Sequence, residues 1–307
     1  MNSDPTESII KPNGNLSLQI MCSEVTWFKF LHASRAANSE QDGWNSKTWW
    51  NKRGLKLLTG DGEAKPFVTT WTESSLRATE PIPRKADFML SERHEAYLEG
   101  FRGAKDVPKE GTENHLNWQI FHWIKAEFDH RLVTYELPLA GVSCGQLKAD
   151  LVTFDRTGLV EIIELKRTGA KGADSPLMAL VEAICYTLQL LRCWENLRAE
   201  LPPEKISDSG IQKVNIVLAA PNYWDDCKAG KGEERKINDE DAKLLQKIVE
   251  TVGAAIKHNP HELPKPQLTL TLAEILDDGS GGMTMKALKF TSLKNSPPEG
   301  SVVESES

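Results

Sequence analysis

The stretch VEIIELKRTGAKGADSPLMALVEAICYTLQLL (residues 160–191) decides how this chain folds. Its opening residues extend a run, LVEIIELK (159–166), apolar enough for a buried strand. Yet the run carries Glu164 and Lys166 two positions apart, and therefore on one face. Ser175-Pro176 then opens a helix expected to reach about Glu200, with Ser as N-cap and Pro at the first position. That helix is apolar almost all round, but Glu182, Tyr186 and Gln189 fall within about 60° on a helical wheel. This polar stripe is either the solvent side of the helix or a row aimed at a site.

Upstream, LKADLVTF (147–154) reads as the preceding strand, joined through Arg156, Thr157 and Gly158. A three-residue hairpin loop commonly uses a type I turn followed by a left-handed residue, and Gly158 stands where that residue belongs. With Asp155 facing Leu159, Phe154 faces Val160, Val152 faces Ile162, Asp150 faces Glu164 and Lys148 faces Lys166. All eight side chains share one side of the sheet, and opposed Cβ atoms lie about 4.5–5.5 Å apart. The other side, Ala149, Leu151, Ile163 and Leu165, is apolar, so both faces are expected to be covered. Two carboxylates so close repel, and one is driven toward protonation unless a cation lies between them. A hard divalent ion such as Mg²⁺, taking carboxylate, carbonyl and water oxygens, resolves the conflict. A cross-strand lattice of salt bridges at the sheet's end is the alternative, and geometry alone leaves both open.

Further out, TENHLNWQIFHWIKAEF (112–128) has Leu116, Ile120, Trp123 and Ile124 at helical spacing behind a Thr112 N-cap. LVTYELPL (132–139) reads as a strand. VNIVLAAP (214–221) reads as a buried strand, and DEDAKLLQKIVETVGAAIK (239–257) as an amphipathic helix with acidic residues in its first turn. LTLTLAEI (268–275) and MKALKF (285–290) are expected late strands. The order is helix, three strands, helix, strand, then further elements, which defines an α/β fold with helices layered on a sheet. Before Lys109 the pattern is weaker. FVTTWTESSLRATEPIP (67–83) is expected to be a strand and then a loop, and LSERHEAYLEGFRG (90–103) a short helix. SLQIMCSEVTWFKFL (17–31) fits strand or helix. Trp44, Trp49 and Trp50 beside Lys47, Lys52 and Arg53 either pack a small domain or form a stacking and phosphate surface.

These patterns divide the chain into polar tails at 1–15 and 293–307, an N-terminal region at 16–105, and a principal domain at 106–292. The tails have too little apolar surface to offset their ordering entropy and are expected to be disordered. With 39% hydrophobic and 26% charged residues, the rest belongs to the folded soluble class. No basic segment followed by an apolar core marks a signal peptide, and no apolar run approaches a membrane span. The 5 cysteines (Cys22, Cys144, Cys185, Cys193 and Cys227) are odd in number and lack a CxxC pair. That argues against a disulfide framework or zinc site and fits a reducing cytoplasm. Cys185 and Cys193 are expected as small core residues. The net charge of −7 weighs against a nucleic-acid partner, although a local basic face can coexist with an acidic total.

Asp150, Glu164 and Lys166, in KAD followed after 13 residues by ELK, resemble the PD-(D/E)XK nuclease superfamily. They lie on the second and third strands of the helix–three strands–helix–strand order that is its core, and the resemblance covers roughly residues 110–221. It implies a restriction-endonuclease-like core with a mixed central sheet flanked by helices. The implied activity is metal-dependent hydrolysis of phosphodiester bonds, in DNA ahead of RNA. Asp150 and Glu164 would bind Mg²⁺ or Mn²⁺, and Lys166 would position or activate water. The superfamily often places a Glu on the first core helix, which Glu113 matches, with Glu110 a less convenient alternative. Some branches carry QxxxY on the later helix. Here Glu182 stands for the Gln before Tyr186, and the stripe with Gln189 would support substrate or the metal shell. Lys148, Arg167 and Lys171 would receive phosphates. Ala149 replaces the motif's Pro, a change the superfamily tolerates.

Some members keep the fold without cutting. The rival reading is therefore a catalytically silent binding protein in a nucleic-acid-processing or defence assembly. A protein partner would then dock through the N-terminal region. AGKGEERK (229–236) lacks the phosphate-loop pattern and is expected as a mobile loop. His115 and His122 are seven apart and share a helix face, without the spacing of a zinc site. In WDDC (224–227), Asp225 and Asp226 are expected to serve a turn.

Overall fold

The computed structural model describes residues 55, 58–59, 65–77, 107–139, 148–166, 176–221, 239–279 and 282–287. Its elements are α1 (Phe67–Arg77), α2 (Glu113–Glu127), β1 (Leu132–Pro138), β2 (Lys148–Phe154), β3 (Leu159–Leu165) and α3 (Pro176–Glu200). They continue with β4 (Lys213–Pro221), α4 (Asp239–Lys257), β5 (Gln267–Asp277) and β6 (Met283–Ala287). The six strands form one mixed sheet in sequential order. β1, β2 and β3 run as an antiparallel meander, β3–β4 and β4–β5 are parallel, and β6 returns antiparallel to β5. Parallel neighbours need long crossovers, and α3 and α4 supply them. The protein is thus α/β, with helices flanking a mixed sheet.

The β2–β3 turn sets the register on which the site depends. Asp155 N–H donates to the Leu159 carbonyl (3.1 Å), and Gly158 N–H to the Asp155 carbonyl (3.3 Å). Asp155 Oδ1 accepts from the Thr157 and Leu159 amides and from the Thr157 hydroxyl. Gly158 has φ +86°, and a Cβ there would come within 2.6 Å of the Gly210 carbonyl oxygen, so conformation and space both require glycine. The pairs Phe154–Val160 and Val152–Ile162 follow as the turn chemistry predicts.

Every residue of β3 is buried, because helices cover both sides of the sheet. One apolar cluster joins α1, α3 and α4 to Val152, Ile162, Ile216 and Leu270. The other joins α2 to Leu151, Ile163, Leu165, Val217 and Ile275. The Thr112 side chain caps α2 by accepting from the His115 amide (3.2 Å), and Pro176 opens α3. Cys185 and Cys193 are buried free thiols in the core.

One segment departs from its sequence reading. FVTTW does not open a strand, since residues 67–77 form α1. The β-branched residues favour a strand, but Val68, Trp71, Thr72, Ser75 and Leu76 are buried at helical spacing. Packing of that stripe into the α3–α4 cluster outweighs local propensity. The last strand also begins two residues earlier than MKALKF suggests, at Met283. The expected helix at 90–103, the Trp/Lys segment at 44–53, AGKGEERK, WDDC and both tails lie outside the described residues.

Candidate active site

β2 and β3 stop pairing where the sequence turns charged. The last pair of their ladder is Leu151–Ile163, so the expected pairs Asp150–Glu164 and Lys148–Lys166 do not form. Beyond it the Asp150 carboxylate replaces main-chain pairing, with Oδ2 accepting from the Leu165 amide at 3.0 Å. β3 stays with β4, and Lys166 N–H donates to the Ala219 carbonyl (2.9 Å). The divergence leaves Asp150 and Glu164 on the α3 side of the sheet, at the end of the apolar Val152–Ile162 row.

α3 completes the site from that side. The Lys166 ammonium lies 2.7 Å from Glu164 Oε1 and 2.7 Å from Glu182 Oε2. Glu113, the first residue of α2, places Oε1 at 3.9 Å from it. Glu164 is 2% exposed and Lys166 7%, so these charges have little water to screen them. Tyr186, one turn beyond Glu182, packs against the apolar core. The polar stripe of α3 therefore turns two of its members, Glu182 and Tyr186, toward the strand carboxylates and not toward solvent.

The electrostatics are unbalanced, because four carboxylates surround one ammonium. Burial, with smaller contributions from Glu113 and Glu182, pushes the Asp150 carboxyl up to about 7 against the opposing pull of Lys166. Burial and then the Asp150 charge hold Glu164 well above the usual carboxylate range. For Lys166, burial favours the neutral amine, but Glu164, Glu182, Asp150 and Glu113 together outweigh it and hold the ammonium. Burial, and then Glu164, Glu182 and Asp150, raise the Tyr186 phenol.

Glu164 Oε2 is buried with no hydrogen-bond partner among the described residues. A buried carboxylate oxygen left unbonded is costly, and here it lies beside a second carboxylate held near neutrality by burial. Hard oxygen donors with excess negative charge suit a divalent cation such as Mg²⁺ or Mn²⁺. No group of three or more His, Cys, Asp or Glu among the described residues forms a ready metal cage. Instead the Lys166 ammonium bridges Glu164 and Glu182.

The other predicted residues divide. Gln189 donates from Nε2 to the Leu139 carbonyl (2.8 Å), tying α3 to the end of β1. Lys148 opens β2 opposite Pro138, while Arg167 and Lys171 lie outside the described residues. His115 and His122 do share a face of α2, where each ring meets Trp118, at 5.8 and 4.6 Å.

Two residues near the site escaped the sequence reading. The β1–β2 pairing skips Glu136, the residue across from Asp150, which has φ +45°. That conformation is uncommon outside glycine, and such strain concentrates at functional positions. Tyr135 beside it donates to the Asn114 carbonyl (3.2 Å), next to Glu113. Its phenol is held high by burial, by Glu136 and by Asp150. The available signal was a charged residue inside the otherwise apolar LVTYELPL.

Comparison with protein-family models, curated proteins and solved structures finds no match. No helix among the described residues is long and apolar enough to cross a membrane.

Proposed function

We propose that this chain is a metal-dependent nuclease with a restriction-endonuclease-like core of the PD-(D/E)XK type, acting on DNA ahead of RNA. The observation that carries the reading is the carboxylate pair, part-buried Asp150 and buried Glu164, with Lys166 on the same face and a Glu164 oxygen that has no hydrogen-bond partner among the described residues. The order α2–β1–β2–β3–α3–β4 supports it, since it sets those residues at the ends of adjacent strands.

Asp150 and Glu164 would hold Mg²⁺ or Mn²⁺, with Glu113 contributing directly or through water. Such an ion supplies Lewis-acid polarisation of a phosphoryl oxygen and a more acidic bound water. The chain's own groups do the rest. Lys166 keeps its proton against burial because carboxylates surround it. An N–H of that ammonium can orient an attacking water or stabilise charge developing on the phosphate. Glu182 and Tyr186 form the α3 wall, and Lys148, Arg167 and Lys171 are the candidates to receive flanking phosphates. The acidic cluster repels a polyanion until divalent charge offsets it, so substrate engagement depends on metal.

The net charge of −7 favours a second reading, a silent nuclease fold that serves as a binding module in a nucleic-acid-processing or defence assembly, in the cytoplasm. Its partner surface would be the N-terminal region. One assay separates the two. Linear, nicked and circular DNA and RNA are incubated with Mg²⁺ or Mn²⁺, for wild type, Lys166→Ala and an EDTA control. The nuclease reading expects metal-dependent cleavage that falls at least about 100-fold in the variant. Wild type indistinguishable from the variant on every substrate would leave the binding module.

A further inference from the structure

The two short contacts of Lys166 are chemically equal in this structure, 2.7 Å to Glu164 Oε1 and 2.7 Å to Glu182 Oε2. They would not stay equal once a divalent cation occupied the strand carboxylates. Glu164 would give its charge to the metal, and two further positive charges would stand beside the ammonium. A surface lysine would turn to water at little cost. Lys166 is 7% exposed, and a buried ammonium deprived of its carboxylate pays a heavy desolvation penalty.

Glu182 is placed to prevent that loss. It stands on α3 and not on the strands that carry Asp150 and Glu164, and its backbone belongs to a helix packed into the core. Its side chain is 20% exposed, against 2% for that of Glu164. Neighbouring Tyr186 and the core residues of α3 pack the helix against the apolar cluster. A neutral amide at this position could accept a hydrogen bond but could not balance the ammonium.

From this geometry, and resting on the nuclease reading above, we propose that Glu182 is the ionic anchor of Lys166. It holds the ammonium when Glu164 turns to a divalent cation, so that Lys166 stays beside the metal carboxylates and does not compete for them. Glu182 is thereby a positioning residue for Lys166 and not a metal ligand. The Glu at this position has a role of its own, because the site must stabilise a buried monocation and a divalent cation at once.

The test pairs a structure with a binding measurement, using Ca²⁺ as the probe. In a crystal structure of the wild-type Ca²⁺ complex, Lys166 Nζ should remain within hydrogen-bond distance of Glu182 and leave Glu164. Calorimetric titration of Glu182→Gln should show Ca²⁺ bound roughly tenfold more weakly than by wild type, since the ammonium then falls back on Glu164. Circular dichroism would verify that the variant is folded. Glu182 oxygen within about 2.6 Å of the ion would make it a ligand and overturn the proposal. So would a Lys166 that keeps Glu164, or a folded Glu182→Gln with unchanged Ca²⁺ affinity. A wild type that binds neither Ca²⁺ nor Mn²⁺ would instead remove the metal site itself, and the proposal with it.

Discussion

Two glutamates three positions apart on β3, Glu161 and Glu164, are both buried but live in opposite circumstances. Glu161 points to the α2 side and is fully satisfied. Its Oε2 accepts from Arg131 and from the Thr153 hydroxyl (3.2 Å), and its Oε1 from Asn215 Nδ2 (3.0 Å). Asn215 in turn accepts from Thr269 and Thr271, so the chain of bonds crosses β2, β3, β4 and β5. One carboxylate meets one guanidinium. Glu164 points to the α3 side, shares one ammonium with three other carboxylates, and leaves an oxygen unbonded. The first arrangement pairs its charges and ties strands together, and only Arg131 Nε in it lacks a hydrogen-bond partner among the described residues. The second gathers several carboxylates around one ammonium, and this excess of negative charge is what the proposed metal site rests on.

The contrast breaks most visibly if Glu161 behaves as an open site. Glu161→Ala would leave Arg131 as a buried charge without its carboxylate, and should cost about 3–5 kcal/mol in urea unfolding. Replacing Arg131 by Met together with Glu161 by Leu should recover most of that loss. A Glu161→Ala cost below about 1 kcal/mol would mean the network is not what holds these strands.

Asp150→Asn should act in the opposite direction. The folded-state carboxyl of Asp150 is raised to about 7 from an ordinary value of 3.8. The folded state therefore binds the proton more tightly than the unfolded chain, and this contribution to stability is lost as pH rises from about 4 through 7. In EDTA, wild type should lose stability across that window. The variant should lessen that loss, the raised Glu164 carboxyl still contributing, and be more stable at pH 8 by at least about 1 kcal/mol. Under the proposed metal site, saturating divalent cation should lessen the wild-type loss too, by stabilising the ionised pair. Parallel profiles for wild type and variant would show that the carboxylate pair is not strained in the metal-free protein.

The smallest effect sharpens the comparison. Thr271→Val removes one of two hydroxyls donated to Asn215 Oδ1 while Thr269 keeps the other. It should cost about 0.5–1.5 kcal/mol in thermal unfolding and leave the proposed cleavage activity unchanged.

What the sequence determined by itself was local. Asp155, Thr157 and Gly158 specify their turn through side-chain bonds and one left-handed residue, and that turn fixes which residues of β2 and β3 face each other. Thr112 and Pro176 likewise mark where α2 and α3 begin. From those short-range rules Asp150, Glu164 and Lys166 share a face, and Glu182 and Tyr186 share a stripe. The tertiary structure decided everything that joins distant elements. It made residues 67–77 a helix despite their β-branched composition, because a core stripe was there to bury. It turned the α3 stripe onto Lys166, drew Glu113 within 3.9 Å, and set Glu136 across from Asp150. It sent Gln189 to a main-chain carbonyl, although the same helical spacing groups it with Glu182. Periodicity reports which side chains share a face, whereas the neighbour that face meets depends on how whole elements pack, and that is set by burial over the entire sheet.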